Sequence, residues 1–268
     1  MIKKYFLGKD KRLCLISDIH FYEKFNIKKL NKIVNIIKNE KPDYIIIAGD
    51  IIDYTEVSLN KHMEYLYGFI KDLANIAKVI ICLGNHDIST FKDNFSYPYL
   101  FCENLKHMNN VVFLDNSSFK ENGINFIGYT QSFETLKGNF DDKIIEEVSN
   151  LTNNLDDSYN ILISHNPLYV SKEEVLSKIV NYDKINLILS GHTHNGMLPN
   201  FVKTNNLLIS PDKKWFYKNG RGYLKRFNTD IIISGGITKL SRKAGILRFF
   251  NFLYQMNIDL INISINKK

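Results

Sequence analysis

Five short apolar runs, Leu13–Ser17, Tyr44–Ala48, Val79–Leu83, Asn160–Ser164 and Leu187–Ser190, each break off at a knot of acids, amides or imidazoles. Runs that are apolar at nearly every position, rather than at every second one, belong to strands covered on both faces. A chain that must bury five of them is expected to be α/β, with helices packed over its sheets. Its polar groups then gather at the carboxyl ends of the strands, where ligands bind in open α/β sheets.

The segments between the runs support that reading. Ile27, Leu30, Ile33, Val34 and Ile37 recur at helical spacing behind an Asn26 cap and stop before Pro42, and Leu59, Met63, Leu66, Ile70, Leu73 and Ala77 repeat the pattern. The first 87 residues thus read β-α-β-α-β. Further on, the pattern predicts a helix within Pro98–His107 and an antiparallel pair, Val111–Leu114 with Ile124–Ile127, joined around Asn122-Gly123. Helices follow over Asp141–Thr152 and near Lys172–Val180. A hairpin is expected in the basic segment Asp212–Arg226, marked by Asn219-Gly220 and Gly222, before final strands at Ile231–Ile233 and Ile258–Ile265. The second half therefore reads as the more antiparallel one. No internal repeat or low-complexity linker divides residues 1–268, so one domain is expected.

Collected, the strand-end groups are Asp18, His20, Asp50, Asn85, His86, Asp87, His165, His192 and His194, which include five of the seven histidines. On extended backbone, Asp18 and His20 would share a side, as would His192 and His194. Gly49 lets the chain turn so that the Asp50 carboxylate leaves its strand. A set of imidazoles, carboxylates and one amide, without thiolate, suits Mn, Fe or Zn rather than a cysteine-rich structural zinc site. With His86 and Asp87 reserved for proton handling, the remaining seven suffice for two divalent metal ions if one carboxylate is shared, the arrangement used to hydrolyse phosphate esters. Asp53 and Asn195 read equally well as turn residues, supports or substrate contacts.

Asp18-x-His20, Gly49-Asp50, Gly84-Asn85-His86-Asp87, His165 and Gly191-His192-x-His194 together resemble the ordered signature of the calcineurin-like metallophosphoesterase superfamily. The resemblance implies a four-layer β-sandwich of two mixed sheets flanked by helices. It implies that Asp18, His20 and His194 bind one metal, that Asn85, His165 and His192 bind the other, and that Asp50 bridges them. His86 would polarise the phosphate oxygens or protonate the leaving oxygen, with Asp87 holding its ring. Attack on phosphorus would come directly from a metal-bridging hydroxide, without a phosphoenzyme. Ser234-Gly235-Gly236-Ile237-Thr238 and Ile246-Leu247-Arg248-Phe249-Phe250 further resemble the bacterial YkuE-like branch, from which Asn195-Gly196-Met197 departs. The expected activity is that of a phosphodiesterase or pyrophosphohydrolase acting on a small or lipid-linked phosphate. The alternatives are a catalytically silent metal-binding scaffold of the same fold and, among enzymes, a protein phosphatase.

Cys14, Cys82 and Cys102 lie far apart with no C-x-x-C spacing, so they are read as reduced, structural thiols. The N-terminal stretch has no signal-peptide pattern, and no run approaches the roughly 18 apolar residues of a membrane span, which makes the cytoplasm the expected location. The net charge of +7 is concentrated in residues 201–268, with 13 lysines and arginines against 3 acids. Such a region favours an anionic partner. Residues 242–254 join bases to a dense aromatic and aliphatic cluster. They read first as a packed loop and alternatively as a peripheral contact with anionic membrane. Arg248 is a candidate for binding a substrate phosphate. A nucleic-acid partner is not expected, for want of a recognisable aromatic-basic platform.

Overall fold

The computed structural model describes residues 2–22, 25–53, 59–88, 97–132, 134–135, 141–167, 172–198, 201–211, 214–238 and 256–265. Its strands are β1 (Ile2–Phe6), β2 (Lys11–Ile16), β3 (Tyr44–Ala48), β4 (Lys78–Cys82), β5 (Val111–Leu114), β6 (Ser117–Glu121), β7 (Ile124–Tyr129), β8 (Tyr159–Ser164), β9 (Ile185–Ser190), β10 (Gly222–Arg226), β11 (Thr229–Ile233) and β12 (Ile258–Ile263). Its helices are α1 (Ile27–Glu40), α2 (Leu59–Ala74), α3 (Tyr97–Lys106), α4 (Asp141–Thr152) and α5 (Glu173–Leu176). The strands form two six-stranded sheets, β1-β12-β2-β3-β4-β5 and β10-β11-β9-β8-β7-β6.

The alternation of side chains across each strand explains why the runs are apolar throughout. Leu13 and Leu15 of β2, Ile46 and Ala48 of β3, and Ile80 and Cys82 of β4 meet Phe126, Ile161, Ile163, Leu187 and Leu189 in the core between the sheets. Their sequence neighbours Cys14, Ile16, Ile45, Ile47, Val79 and Ile81 face outward against α1 and α2, packing on Leu30, Ile33, Ile37, Met63, Leu66 and Ile70. Ile127, Leu162 and Ile188 do the same on the other side, with Ile144 and Val148 of α4. Helices, two mixed sheets and helices therefore stack as four layers. Burying each Ile or Leu stabilises by about 1.5–3 kcal/mol, so a charge at an inner position such as Ile46 would break the sandwich.

The α1 boundaries follow the sequence signals. Asn26 accepts the Lys28 N–H, and Lys41, at φ 48°, ends the helix in the left-handed conformation one residue before Pro42.

Three pairings differ from the sequence expectation. Val111–Leu114 lies parallel to β4 in the first sheet and does not pair with Ile124–Tyr129. The Asn122-Gly123 turn joins β7 instead to β6, a strand at the sheet's edge whose Ser117, Ser118 and Lys120 are exposed and whose pattern lacks the apolar signal of a buried strand. The second half is not predominantly antiparallel, because β7, β8, β9 and β11 pair in parallel. The basic hairpin is β10 and β11, turning at Phe227-Asn228, later than Asp212–Arg226. The last strand, β12, inserts between β1 and β2, parallel to one and antiparallel to the other.

Cys14, Cys82 and Cys102 are free and buried. Among the described residues no helix is long and apolar enough to cross a membrane. The stretch 242–254, with Arg248, lies outside the described residues.

Candidate metal centre

The strand-end residues gather where the carboxyl ends of β2, β3, β4, β8 and β9 meet. Backbone hydrogen bonds stitch these ends together: Asp18 N donates to Gly49 O at 3.0 Å, His20 N to Asp50 O at 3.0 Å, and Gly191 N to His165 O at 3.0 Å. The chain is not extended there, contrary to the expectation for Asp18-x-His20 and His192-x-His194. Asp18, His20, Asp50, His192 and His194 all have left-handed backbone, with φ of 53°, 47°, 51°, 69° and 45°. Each such residue costs about 1–3 kcal/mol, a cost that clusters where side-chain direction matters more than local comfort.

Two donor groups result. Asp18, His20 and His194 bring one ligand atom each within 4.8 Å of one another, as do Asp50, His165 and His192, while His20, Asp50 and His86 form a third set that links them. His192 and His194 thus turn to opposite groups. Asp50 Oδ2 lies 3.6 Å from His20 Nε2 and 3.1 Å from His165 Nε2, which puts this carboxylate between the two groups. Asp18 is fully buried. It accepts the Ser17 hydroxyl at 2.5 Å and the His192 N–H at 3.1 Å. Asn85 opens a helical turn, Asn85–Ile88, directly after Gly84.

Backbone carbonyls set the direction of two rings. His165 Nδ1 lies 2.7 Å from Ala48 O and His194 Nδ1 lies 3.2 Å from Thr238 O. With those protons on Nδ1, both Nε2 lone pairs turn inward. His194 Nε2 then stands 3.1 Å from His20 Nε2, and His165 Nε2 stands 3.1 Å from Asp50 Oδ2. Ring nitrogens this close to one another and to a carboxylate need a proton or a metal cation among them, and imidazoles with carboxylates are the donors that divalent transition metals take. The residues fit two such ions.

The electrostatics differ from ring to ring. Burial lowers His20 to about 4 and, with the nearby His165, lowers His192 to about 3, so both stay neutral and available as ligands. Burial opposes the Asp50 charge, but His165, His86 and His20 hold its carboxyl well below the usual carboxylate range. Burial also opposes a charge on His165, yet Asp50 overrides it and raises the imidazole to about 10.

Asp87 does not hold the His86 ring. Its carboxylate, 2% exposed, accepts backbone N–H groups from Ile51 at 2.9 Å, Ile52 at 3.0 Å and Gly84 at 2.8 Å, tying the β3 and β4 ends together. The carboxylate beside the ring belongs to Asp53, whose Oδ1 is 3.6 Å from His86 Nδ1. Burial would lower His86, but the Asp53 interaction prevails and raises it. The sequence signal for Asp53 was its position three residues after Asp50, in the same strand-end loop. The Asp50 side chain also accepts the His86 N–H, at 2.8 Å, so one carboxylate sets both a ligand position and the start of the His86 turn.

A four-layer sandwich carrying two donor groups around a shared aspartate at one end of its sheets defines a candidate dinuclear metal centre. The chain belongs to the calcineurin-like phosphoesterase family, whose signature matches residues 11–196. A Caenorhabditis elegans metallophosphoesterase is 28% identical over 231 residues, covering 84% of this chain and 44% of its own length. A Campylobacter jejuni metallophosphoesterase is 24% identical over 197 residues, covering 73% and 47%. The chain thus spans a little under half the length of these relatives. A dimetal phosphatase from Danio rerio superposes with a TM-score of 0.48 at 14% identity, covering 87% of this chain and 90% of that one.

Proposed function

We propose that this chain is a dinuclear metal-dependent phosphoesterase, acting as a phosphodiesterase or pyrophosphohydrolase on a small or lipid-linked phosphate. In this reading Asp18, His20 and His194 would hold one divalent ion, Asn85, His165 and His192 would hold the other, and Asp50 would be shared between them. The observation that carries it is Asp50 Oδ2, between His20 Nε2 at 3.6 Å and His165 Nε2 at 3.1 Å, with a donor group on either side.

Bound there, the two ions would activate water and neutralise charge on the phosphoryl oxygens. The chain's own groups do the rest. The His86 ring stands edge-on to His20 at 4.6 Å between centroids, on the rim of the donor groups. Its Nδ1 faces Asp53, and its Nε2–H would serve a phosphoryl oxygen or protonate the leaving oxygen. Asp53 favours the charged ring, so the proton is held where the developing negative charge needs it. Asp87 keeps the Asp50 and His86 turns in register.

A silent scaffold of the same fold would bind the metals but has no use for the His86–Asp53 pair. The test is hydrolysis of bis-p-nitrophenyl phosphate, p-nitrophenyl phosphate and a dinucleoside pyrophosphate by protein loaded with Mn, Fe or Zn. Turnover of the diester or pyrophosphate is expected. Binding of two metals per chain with no hydrolysis of any substrate would establish the scaffold, and turnover of the monoester alone would favour a phosphatase.

A further inference from the structure

Between β9 and β10 the chain leaves the sandwich as a short ribbon. Residues 207–210 and 214–217 pair through Leu207 N to Tyr217 O at 2.7 Å, Phe216 N to Leu208 O at 2.9 Å and Ser210 N to Lys214 O at 2.9 Å, with a bridge between Ile209 and Trp215. Its base is fixed to the metal centre's loop, because Leu208 N and Ile209 N donate to Gly196 O at 3.0 and 3.3 Å, two residues beyond His194. Leu207 anchors it at 1% exposed.

The other side of the ribbon behaves oppositely. Trp215 is 64% exposed and Phe216 74% exposed, with ring centroids 6.4 Å apart. Phe216 also has a left-handed backbone, φ 54°, unfavourable for a bulky side chain, and gains no burial in return. Exposed Lys214 and Lys218 bracket the pair, and Lys203 is exposed in the same insertion. Lys203 and Lys214 make no ion pair among the described residues. From Phe201 to Arg226 the sequence holds a single acid, Asp212.

We propose that this ribbon is an interfacial anchor that seats Trp215 and Phe216 in the headgroup layer of an anionic lipid surface, with Lys203, Lys214 and Lys218 against the phosphates. Trp sits at such boundaries because one edge of the indole is apolar and the other donates a hydrogen bond. Lysines beside it add roughly 1 kcal/mol each near an anionic leaflet, so the two kinds of contact together give the two signals that reversible attachment needs. Single-stranded nucleic acid, the other anionic polymer that aromatic and basic groups attract, needs open ring faces on which bases stack in succession. Here the two rings are tilted by 45° to each other. The anchor is independent of the phosphoesterase reading, and its test does not use activity.

The chain has one tryptophan, and it is Trp215, so its fluorescence reports the anchor directly. On titration with phosphatidylglycerol–phosphatidylcholine vesicles, the emission is expected to move to shorter wavelength and become protected from acrylamide. Pure phosphatidylcholine should produce little change, and high salt should reverse the effect. Lys214→Glu with Lys218→Glu should weaken vesicle partition at least about tenfold. Phe216→Ser should weaken it while leaving the circular dichroism and metal content of the protein unchanged. Unaltered Trp215 emission with anionic vesicles would overturn the proposal, as would a response to a single-stranded oligonucleotide but not to vesicles.

Discussion

His165 Nε2 faces Asp50 Oδ2 at 3.1 Å, while its Nδ1 is fixed 2.7 Å from Ala48 O. Without metal, the stable way to relieve that contact is a proton between them, and Asp50 accordingly raises the imidazole to about 10 despite burial. The raised value means that at pH 7 the folded chain holds a proton that the metal must displace. Loading the metal-free protein at pH 7 is therefore expected to release about one proton per chain from this pair. Calorimetric titrations in buffers of different ionisation heat measure it. Heats that do not depend on the buffer would remove the claim. The sign for stability follows from the same shift: the folded His165 value lies above the unfolded 6.5, so the His165 contribution in metal-free protein is full below about 6.5 and is lost as pH rises towards 10. The Asp50 contribution, its carboxyl being depressed, is present above the ordinary carboxylate range and lost as pH falls below it.

His86→Ala removes the ring proposed to carry the proton and leaves the donor groups of Asp18, His20 and His194 and of Asp50, His165 and His192 in place. Turnover should fall by about 10²–10⁴ while two metals per chain are retained. Asp53→Asn acts through the ring. It lowers His86 towards its ordinary value, so the alkaline limb of the rate profile should move to lower pH, with a smaller loss at its optimum. Identical pH profiles for Asp53→Asn and the unmodified protein would show that Asp53 does not tune the ring.

The positions of most donors were legible because each follows a strand whose full apolar character announces burial on both faces; Ile45, Ile46 and Ile47 could belong to little else. Pairing was not legible. Val111–Leu114 and Ile124–Tyr129 flank a good turn signal, but the intervening β6 has polar, exposed positions and carries no buried-strand pattern. The roles of Asp53 and Asp87 were likewise hidden. Asp87 is adjacent to His86 in sequence, yet as the two share a helical turn their side chains diverge, and Asp53 arrives from another strand end. Carbonyl partners such as Thr238 O have no sequence signal, because any residue supplies one.

Gly84 has no room for a side chain. A Cβ there would lie 2.2 Å from Asp50 Oδ1 and 2.3 Å from Asp50 N, so Gly84→Ala must push the Asp50 carboxylate or its strand end aside. Because Asp50 faces both donor groups, the substitution should weaken both metals together, by about 10–100-fold in affinity, as disturbing the support of a ligand does. Asp50→Ala should go further and lose metal outright. Metal analysis after gel filtration reads both, and two metals retained by Asp50→Ala would count against a bridging role.

Asp87→Ala separates a structural carboxylate from a catalytic one. Three buried N–H groups, from Ile51, Ile52 and Gly84, lose their acceptor, and an unpaired buried donor costs about 1–3 kcal/mol. A loss of about 3 kcal/mol or more in urea unfolding is expected, with metal affinity reduced because Asp50 and Gly84 are no longer held together. Asp87→Asn keeps an acceptor oxygen for part of this set and should recover much of the stability. Burial and the Asp50 carboxylate raise Asp87 to about 7, so the neutral amide stands close to the form that the metal-free fold favours at low pH. Relative to Asp87→Asn, the unmodified metal-free protein should lose stability as pH rises from about 4 to 7, since over that window the folded chain binds the proton and the unfolded chain does not. If Asp87 instead served the His86 ring, Asp87→Asn would keep its stability and metals while its pH–rate profile shifted as that of Asp53→Asn does.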